Sequence, residues 1–337
     1  MGNIAVVGCG HWGKNLVRNF YELGSLTHVS DTDPNRLQEV RRLYPGVTAS
    51  ADYRQLLTVD EIGAVVLATP AGQHASMAES ALLVGKDVFV EKPLALSYRD
   101  GERVVQLAQR LNRILLVGHL LEYHPAILKL KELIDTGELG EIQYIYSNRL
   151  NLGRVRTDEN ILWSFAPHDI AVILRLIGDL PLHVTATGGA YLQPHVADVT
   201  VTNLHFANGV RAHIFVSWLH PYKEHRLVVI GSKKMACFND VADQDKLVIY
   251  DQGIDWVNSE MVPRKGLGTT VEFSAEEPLR SECRHFLDCL ETRSRPRTDG
   301  ASALKVLNVL EASHRSLQTN GAVVQLTTPQ LAVATIG

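Results

Sequence analysis

From its third residue the chain alternates short apolar runs with stretches whose apolar positions recur every three or four residues, the pattern of strands interleaved with helices. Residues 3–7 form the first run; Leu16, Val17 and Phe20 follow at helical spacing, and residues 26–30 form a second run. The alternation continues with a strand over 64–68, a helix through Met77, Ala81 and Val84, and strands over 87–90 and 115–119. Strands alternating with helices predict a parallel sheet with helices on its faces. Beyond residue 120 the pattern changes. A helix over 125–134, with Ile127, Leu128, Leu130, Leu133 and Ile134 apolar, precedes extended segments at 142–150, 183–191, 196–206, 210–218, 225–230 and 247–250. Short turns such as Ala207-Asn208-Gly209 join them, so an antiparallel sheet is expected. Apolar helices are predicted over 170–177, 279–292 and 302–319, the last with Leu304, Leu307, Leu310 and Leu317 as its core stripe. The expectation is two domains: an α/β domain over 1–120 and, over 121–337, an α+β domain with a large, mostly antiparallel open sheet.

Composition changes this picture little. A chain of 337 residues, 45% hydrophobic, has enough apolar material for two cores. A net charge of −4 with mixed signs argues against a nucleic-acid partner. No apolar run approaches a membrane span and no leader precedes the first strand, so a soluble cytoplasmic protein is expected. The four cysteines, Cys9, Cys237, Cys283 and Cys289, have no zinc-like spacing and are expected to be reduced. No His, Cys or Asp cluster has metal-ligand spacing, and no metal is expected.

The first strand runs directly into Gly8-Cys9-Gly10-His11-Trp12-Gly13. In a dinucleotide-binding (Rossmann) turn, Gly8 allows the tight turn, Gly10 lets backbone approach a pyrophosphate, and Gly13 lets the helix pack close to the strand. Asp31 ends the second strand 18 positions after Gly13, near the roughly 20 expected for the acid that binds a ribose hydroxyl. A carboxylate there repels a 2′-phosphate, which favours NAD over NADP, and the nearest cation, Arg36, is expected to be solvated in a helix that starts at Asp33-Pro34.

Two later strand ends carry chemistry. One leads into Thr69-Pro70-Ala71-Gly72-Gln73-His74, where His74 either projects beside the cofactor or caps the helix that follows; the other ends in Glu91-Lys92-Pro93, which aims an ammonium at the nicotinamide. Further on, residues 160–169 read Asn-Ile-Leu-Trp-Ser-Phe-Ala-Pro-His-Asp and run into a helix. A His168-Asp169 pair at a helix mouth suits proton transfer, or is structural, with Asp169 a first-turn carboxylate on the helix dipole.

Together Gly8/Gly10/Gly13, Asp31, Thr69-Pro70 with His74, Glu91-Lys92-Pro93, Gly118-His119, Pro125 and the 137–142 turn resemble the Gfo/Idh/MocA oxidoreductases, in the family's order and spacing. The resemblance implies an NAD-dependent dehydrogenase. The cofactor would be held by Gly8, Gly10, His11, Trp12, Gly13, Asp31, Thr69, Pro70, His74, Glu91 and Lys92, and a homodimer or homotetramer would form through the outer face of the second sheet. It also implies that Lys92 and His168 are catalytic: His168 matches the histidine of the family's usual Asp-x-Gly-x-His motif, although Ser164 and Ala166 replace the motif's aspartate and glycine.

The segment around Trp163 and Ser164 resembles the nucleotide-sugar 3-dehydrogenase branch of that family. This implies oxidation of the C3 hydroxyl of UDP-N-acetylglucosamine, ahead of a PLP-dependent aminotransferase in 2,3-diamino-sugar lipid A synthesis. Its uronate, or a free polyol such as inositol, is the alternative substrate, and a non-catalytic NAD or sugar-nucleotide sensor the alternative class. Arg149, Arg154 and Arg156 are candidates for a substrate carboxylate or diphosphate, or for surface salt bridges. Tyr123 and Trp163 either touch substrate or pack. His168 takes the hydroxyl proton while Lys92 steadies the alkoxide, or Lys92 is itself the base; the residues do not divide these roles.

Overall fold

A computed structural model describes residues 3–153, 155–157 and 159–326. The chain divides into two compact units, one formed by residues 3–125 with Ser274–Leu307, the other by Ala126–Phe273 with residues 308–326.

The first unit begins with β1 (Asn3–Val7), α1 (Gly13–Glu22), β2 (Leu26–Ser30), α2 (Pro34–Leu43), β3 (Thr48–Ser50) and α3 (Tyr53–Leu57). It continues with β4 (Ile62–Leu67), α4 (Ala71–Leu83), β5 (Asp87–Glu91), α5 (Tyr98–Arg110) and β6 (Leu115–Gly118). The six strands pair in parallel in the order β3-β2-β1-β4-β5-β6, so β1 and β4 are central and buried on both faces. That double burial is why their sequences are unbroken apolar runs rather than alternations. The short β3 went unrecognised because Thr48–Ser50 lacks such a run.

After the 3-10 turn Leu120–Tyr123 come α6 (Pro125–Asp135), β7 (Ile142–Leu150) and α7 (Ile161–Ile177). The strands β8 (His183–Gly189), β9 (Val199–His205), β10 (Arg211–Ser217), β11 (Glu224–Gly231), β12 (Met235–Asn239) and β13 (Leu247–Tyr250) follow. A separate hairpin, β14 (Gly253–Val257) and β15 (Glu260–Arg264), precedes β16 (Gly268–Thr270), then α8 (Pro278–Thr292), α9 (Gly300–Gln318) and β17 (Val324–Gln325). The nine-stranded sheet runs β16-β13-β12-β11-β7-β10-β9-β8-β17, antiparallel except where β7 meets β10. Along β7, Ile145, Ser147 and Arg149 are buried while Tyr144, Tyr146 and Asn148 are half-exposed, the two-residue period of a sheet with one covered face.

Two expectations are corrected. Residues 274–307 belong with the first unit, because Leu279, Cys283 and Phe286 of α8 join the core of the parallel sheet, where Phe20, Phe89 and Phe286 meet edge to face. The helix expected from residue 170 instead begins at Ile161. The Asn160 side chain accepts the Trp163 N–H at 3.2 Å as its N-cap, and buried Ile161, Leu162, Trp163 and Ala166 extend the apolar stripe upstream. Pro167 therefore lies inside the helix, where the carbonyl one turn back loses its usual donor.

Candidate functional site

At the carboxyl edge of the parallel sheet, β1 runs into Gly8, which adopts φ +91°; a Cβ there would stand 2.5 Å from the Ala68 carbonyl oxygen. A Cβ on Gly13 would fall 1.8 Å from the Gly8 oxygen, so α1 can start against β1 only without a side chain. Beside this turn lies a cavity of about 750 Å³ bounded by Gly8, Gly10, Asp31, Arg36, Thr69 and Pro70. Buried Asp31 accepts the Cys9 N–H at 2.7 Å and the Asp33 N–H at 2.8 Å, which fixes its carboxylate at the rim. The glycine cradle and this carboxylate fit the pyrophosphate and ribose of a dinucleotide. Burial, reinforced by the nearby Asp31, pushes the Cys9 thiol up to about 12, so it remains a thiol.

Arg36 is exposed, as expected from the sequence, but it is not without partners. In the first turn of α2, capped by Asp33, it reaches back to Asp31 at 3.3 Å and to Asp33 at 3.4 Å and lines the same cavity. The helical approach of Arg36 to the strand end was the available signal.

The edge continues through Thr69-Pro70, Glu91-Lys92-Pro93 and Gly118-His119. Glu91 is buried and accepts the Trp12 indole N–H at 2.5 Å, joining the glycine turn to the turn that carries Lys92. Burial pushes its carboxyl up to about 7, against the opposing effects of Trp12 and Lys92. Its carboxylate lies 3.0 Å from where a Cβ of Gly118 would stand, which explains glycine at that position. His11 is exposed, whereas Lys92 is half-buried and precedes a cis peptide bond to Pro93. His119 is 3% exposed; burial and then the Lys92 charge push it down to about 3, a neutral imidazole. His74 neither projects into the cavity nor caps α4. Its two ring nitrogens lie 2.7 Å and 2.8 Å from the carbonyl oxygens of Pro93 and Thr69.

Tyr123 is 1% exposed, its hydroxyl 3.2 Å from Thr298 Oγ1 and its ring under Arg297, so it packs rather than offering a substrate contact.

In the second unit, Ser164 and His168 lie one turn apart on one face of α7, Ser164 buried and His168 half-buried. Asp169, mid-helix rather than in a first turn, turns towards the sheet and takes Arg149 Nε at 2.8 Å, Arg149 Nη2 at 3.1 Å and Ser147 Oγ at 2.6 Å. Arg149 is thus committed to a buried ion pair, with its other nitrogen 3.3 Å from His225. The signal was present in β7: Arg149 shares a face with Ile145, and a buried arginine needs a carboxylate. Arg156 is exposed and pairs with Glu159 at 3.0 Å, while Arg154 lies outside the described residues. Trp163 is buried with its ring edge-on to His314, in the packing role.

Residues 2–119 match the model of an oxidoreductase family with an NAD-binding Rossmann fold, GFO_IDH_MocA, and residues 127–237 match the GFO/IDH/MocA C-terminal domain. UDP-N-acetylglucosamine 3-dehydrogenase of Acidithiobacillus ferrooxidans is 25% identical over 90% of this chain and 93% of its own. The scyllo-inositol 2-dehydrogenase (NAD(+)) of Bacillus subtilis is 26% identical over 96% and 95%. With an uncharacterized oxidoreductase of Streptococcus pneumoniae, 28% identical, the match spans 68% of this chain and 66% of the relative, just under two-thirds of its length. Among solved structures, the Acidithiobacillus enzyme superposes with a TM-score of 0.82 at 24% identity, covering 94% of this chain and 97% of the other. A levoglucosan dehydrogenase in complex with NADH and levoglucosan superposes at 0.84 with 18% identity, covering 97% and 100%.

Proposed function

For a chain that belongs to the Gfo/Idh/MocA family of NAD-dependent oxidoreductases, we propose that the alcohol it oxidises is the C3 hydroxyl of UDP-N-acetylglucosamine, giving the 3-keto sugar. The observation that carries this reading is the His168 face of α7, where Ser164 puts an uncharged hydroxyl one turn before His168. A similarity to a UDP-N-acetylglucosamine 3-dehydrogenase along 90% of the chain supports it. The Arg149–Asp169 pair favours the neutral sugar over its uronate, because a guanidinium already neutralised in the interior is not available to a substrate carboxylate.

NAD⁺, when bound, supplies the hydride acceptor. The glycine turn and Asp31 hold the dinucleotide, and Trp12 and Glu91 brace the turn that presents Lys92. His168 takes the hydroxyl proton, and Lys92 stabilises the oxygen's developing charge. The keto product then needs an amine donor, which makes a PLP-dependent aminotransferase the expected consumer.

Purified protein given NAD⁺, UDP-N-acetylglucosamine and a ketone-trapping hydrazine is expected to form NADH and a trapped 3-keto sugar. Inositol is the comparison that matters, because an inositol dehydrogenase is similar over 96% of this chain. Turnover with inositol and none with the nucleotide sugar would replace the substrate assignment.

A further inference from the structure

One buried side chain touches both strand ends beside Lys92. His74, in the first turn of α4, is 1% exposed, with Nδ1 2.7 Å from the Pro93 carbonyl oxygen and Nε2 2.8 Å from that of Thr69. Thr69 lies just beyond β4 and Pro93 just beyond β5, and these strands are paired neighbours whose register brings Leu67 opposite Val90. The ring therefore spans two adjacent loops at the carboxyl edge, and the carbonyl it holds on one side is that of Pro93, the residue after Lys92.

We propose that His74 is the positioning residue for Lys92: anchored on the Thr69 carbonyl, its ring holds the Pro93 carbonyl and so sets where the lysine ammonium stands. The assignment rests on Lys92 acting in the dehydrogenase reaction. Both contacts are hydrogen bonds when each ring nitrogen carries a proton, the form that the two carbonyls favour against the burial that disfavours its charge. The two contacts can be separated chemically. Asparagine places an amide near the Nδ1 position and keeps a donor for Pro93, whereas glutamine reaches the Nε2 position and keeps a donor for Thr69.

The test uses the full-length protein with NADH bound, reductively methylated with ¹³C-formaldehyde; half-buried Lys92 is within reach of the reagent, and its resonance is identified by its loss in Lys92→Arg. His74→Gln is expected to move the Lys92 resonance and, with NAD⁺ and UDP-N-acetylglucosamine, to lower kcat about 100-fold, the scale of a 1 Å misplacement, with NADH affinity and KM unchanged. His74→Asn is expected to restore the resonance and most of kcat. Identical resonances in the two variants, or a fall in NADH affinity that matches the fall in kcat, would overturn the proposal. Failure of the underlying reading is separately visible: Lys92→Met would then keep its turnover, while the Lys92 resonance would still report whether His74 sets the lysine's place.

Discussion

Glu91 shows how much of this site is decided by the surroundings of single side chains. Its ionisation in the folded chain lies near pH 7, against about 4.5 in an exposed glutamate, because burial disfavours the charged form. Between those two values the unfolded chain has released a proton that the folded chain retains, so stability falls as pH rises from 4.5 through 7. Glu91→Gln, which keeps an acceptor for Trp12, is expected to be more stable than the parent at pH 8 by up to about 3 kcal/mol. Urea melts at pH 4.5 should show no difference; a gain of equal size at both pH values would contradict the burial argument. At Lys92 the prediction concerns chemistry rather than stability. Lys92→Met is expected to abolish turnover while NADH still binds, checked by NADH fluorescence titration beside the hydrazine-trap assay, and a fully active variant would remove Lys92 from the mechanism. Lys92 and His168 were legible as candidates because few other residue types perform that chemistry. For Arg149 the residue type suits both a ligand and an ion pair, and only Asp169 across α7 and β7 shows the ion pair.

Helices and strands decide what those side chains can reach. The β1–α1 turn was legible because three glycines answer three separate backbone demands, and Gly13 is the strictest: its hypothetical Cβ meets backbone, which cannot swing away. Gly13→Ala is expected to force α1 from β1 at about 1–3 kcal/mol, weakening NADH binding about tenfold or more, measurable by titration. On α7, the start at Ile161 was hidden by Pro167, which reads locally as a helix boundary, while the Asn160 cap and burial against the second sheet keep the helix continuous. That continuity turns Asp169 towards Arg149. Asp169→Ala should cost about 3–5 kcal/mol by leaving a buried guanidinium unpaired, read by denaturant unfolding; replacing both partners with apolar residues should recover most of that loss, and a single variant of parental stability would show that the pair is solvated.

At the scale of the whole molecule, the nine-stranded sheet leaves Tyr144, Tyr146, Phe215, Val228 and Ile230 half-exposed on one face. Aromatic and β-branched side chains sharing a face suit a sheet-to-sheet interface between copies. The protein is expected to run as a homodimer or homotetramer in light scattering, and Val228→Asp to shift it towards monomer while NADH binding persists. A monomeric parent protein would remove that assignment. No described helix is long and apolar enough to cross a membrane. The sequence by itself determined the strand–helix alternation, the glycine cradle, Asp31, the Lys92 turn and the second sheet's main strands, because these rest on local periodicity and on residue types with few substitutes. Only the tertiary structure decided that 274–307 completes the first core, that Arg149 is spent on Asp169, that Tyr123 and Trp163 pack, and that His74 spans two loops. Each of those outcomes depends on a partner distant in sequence or on a burial that no local pattern encodes.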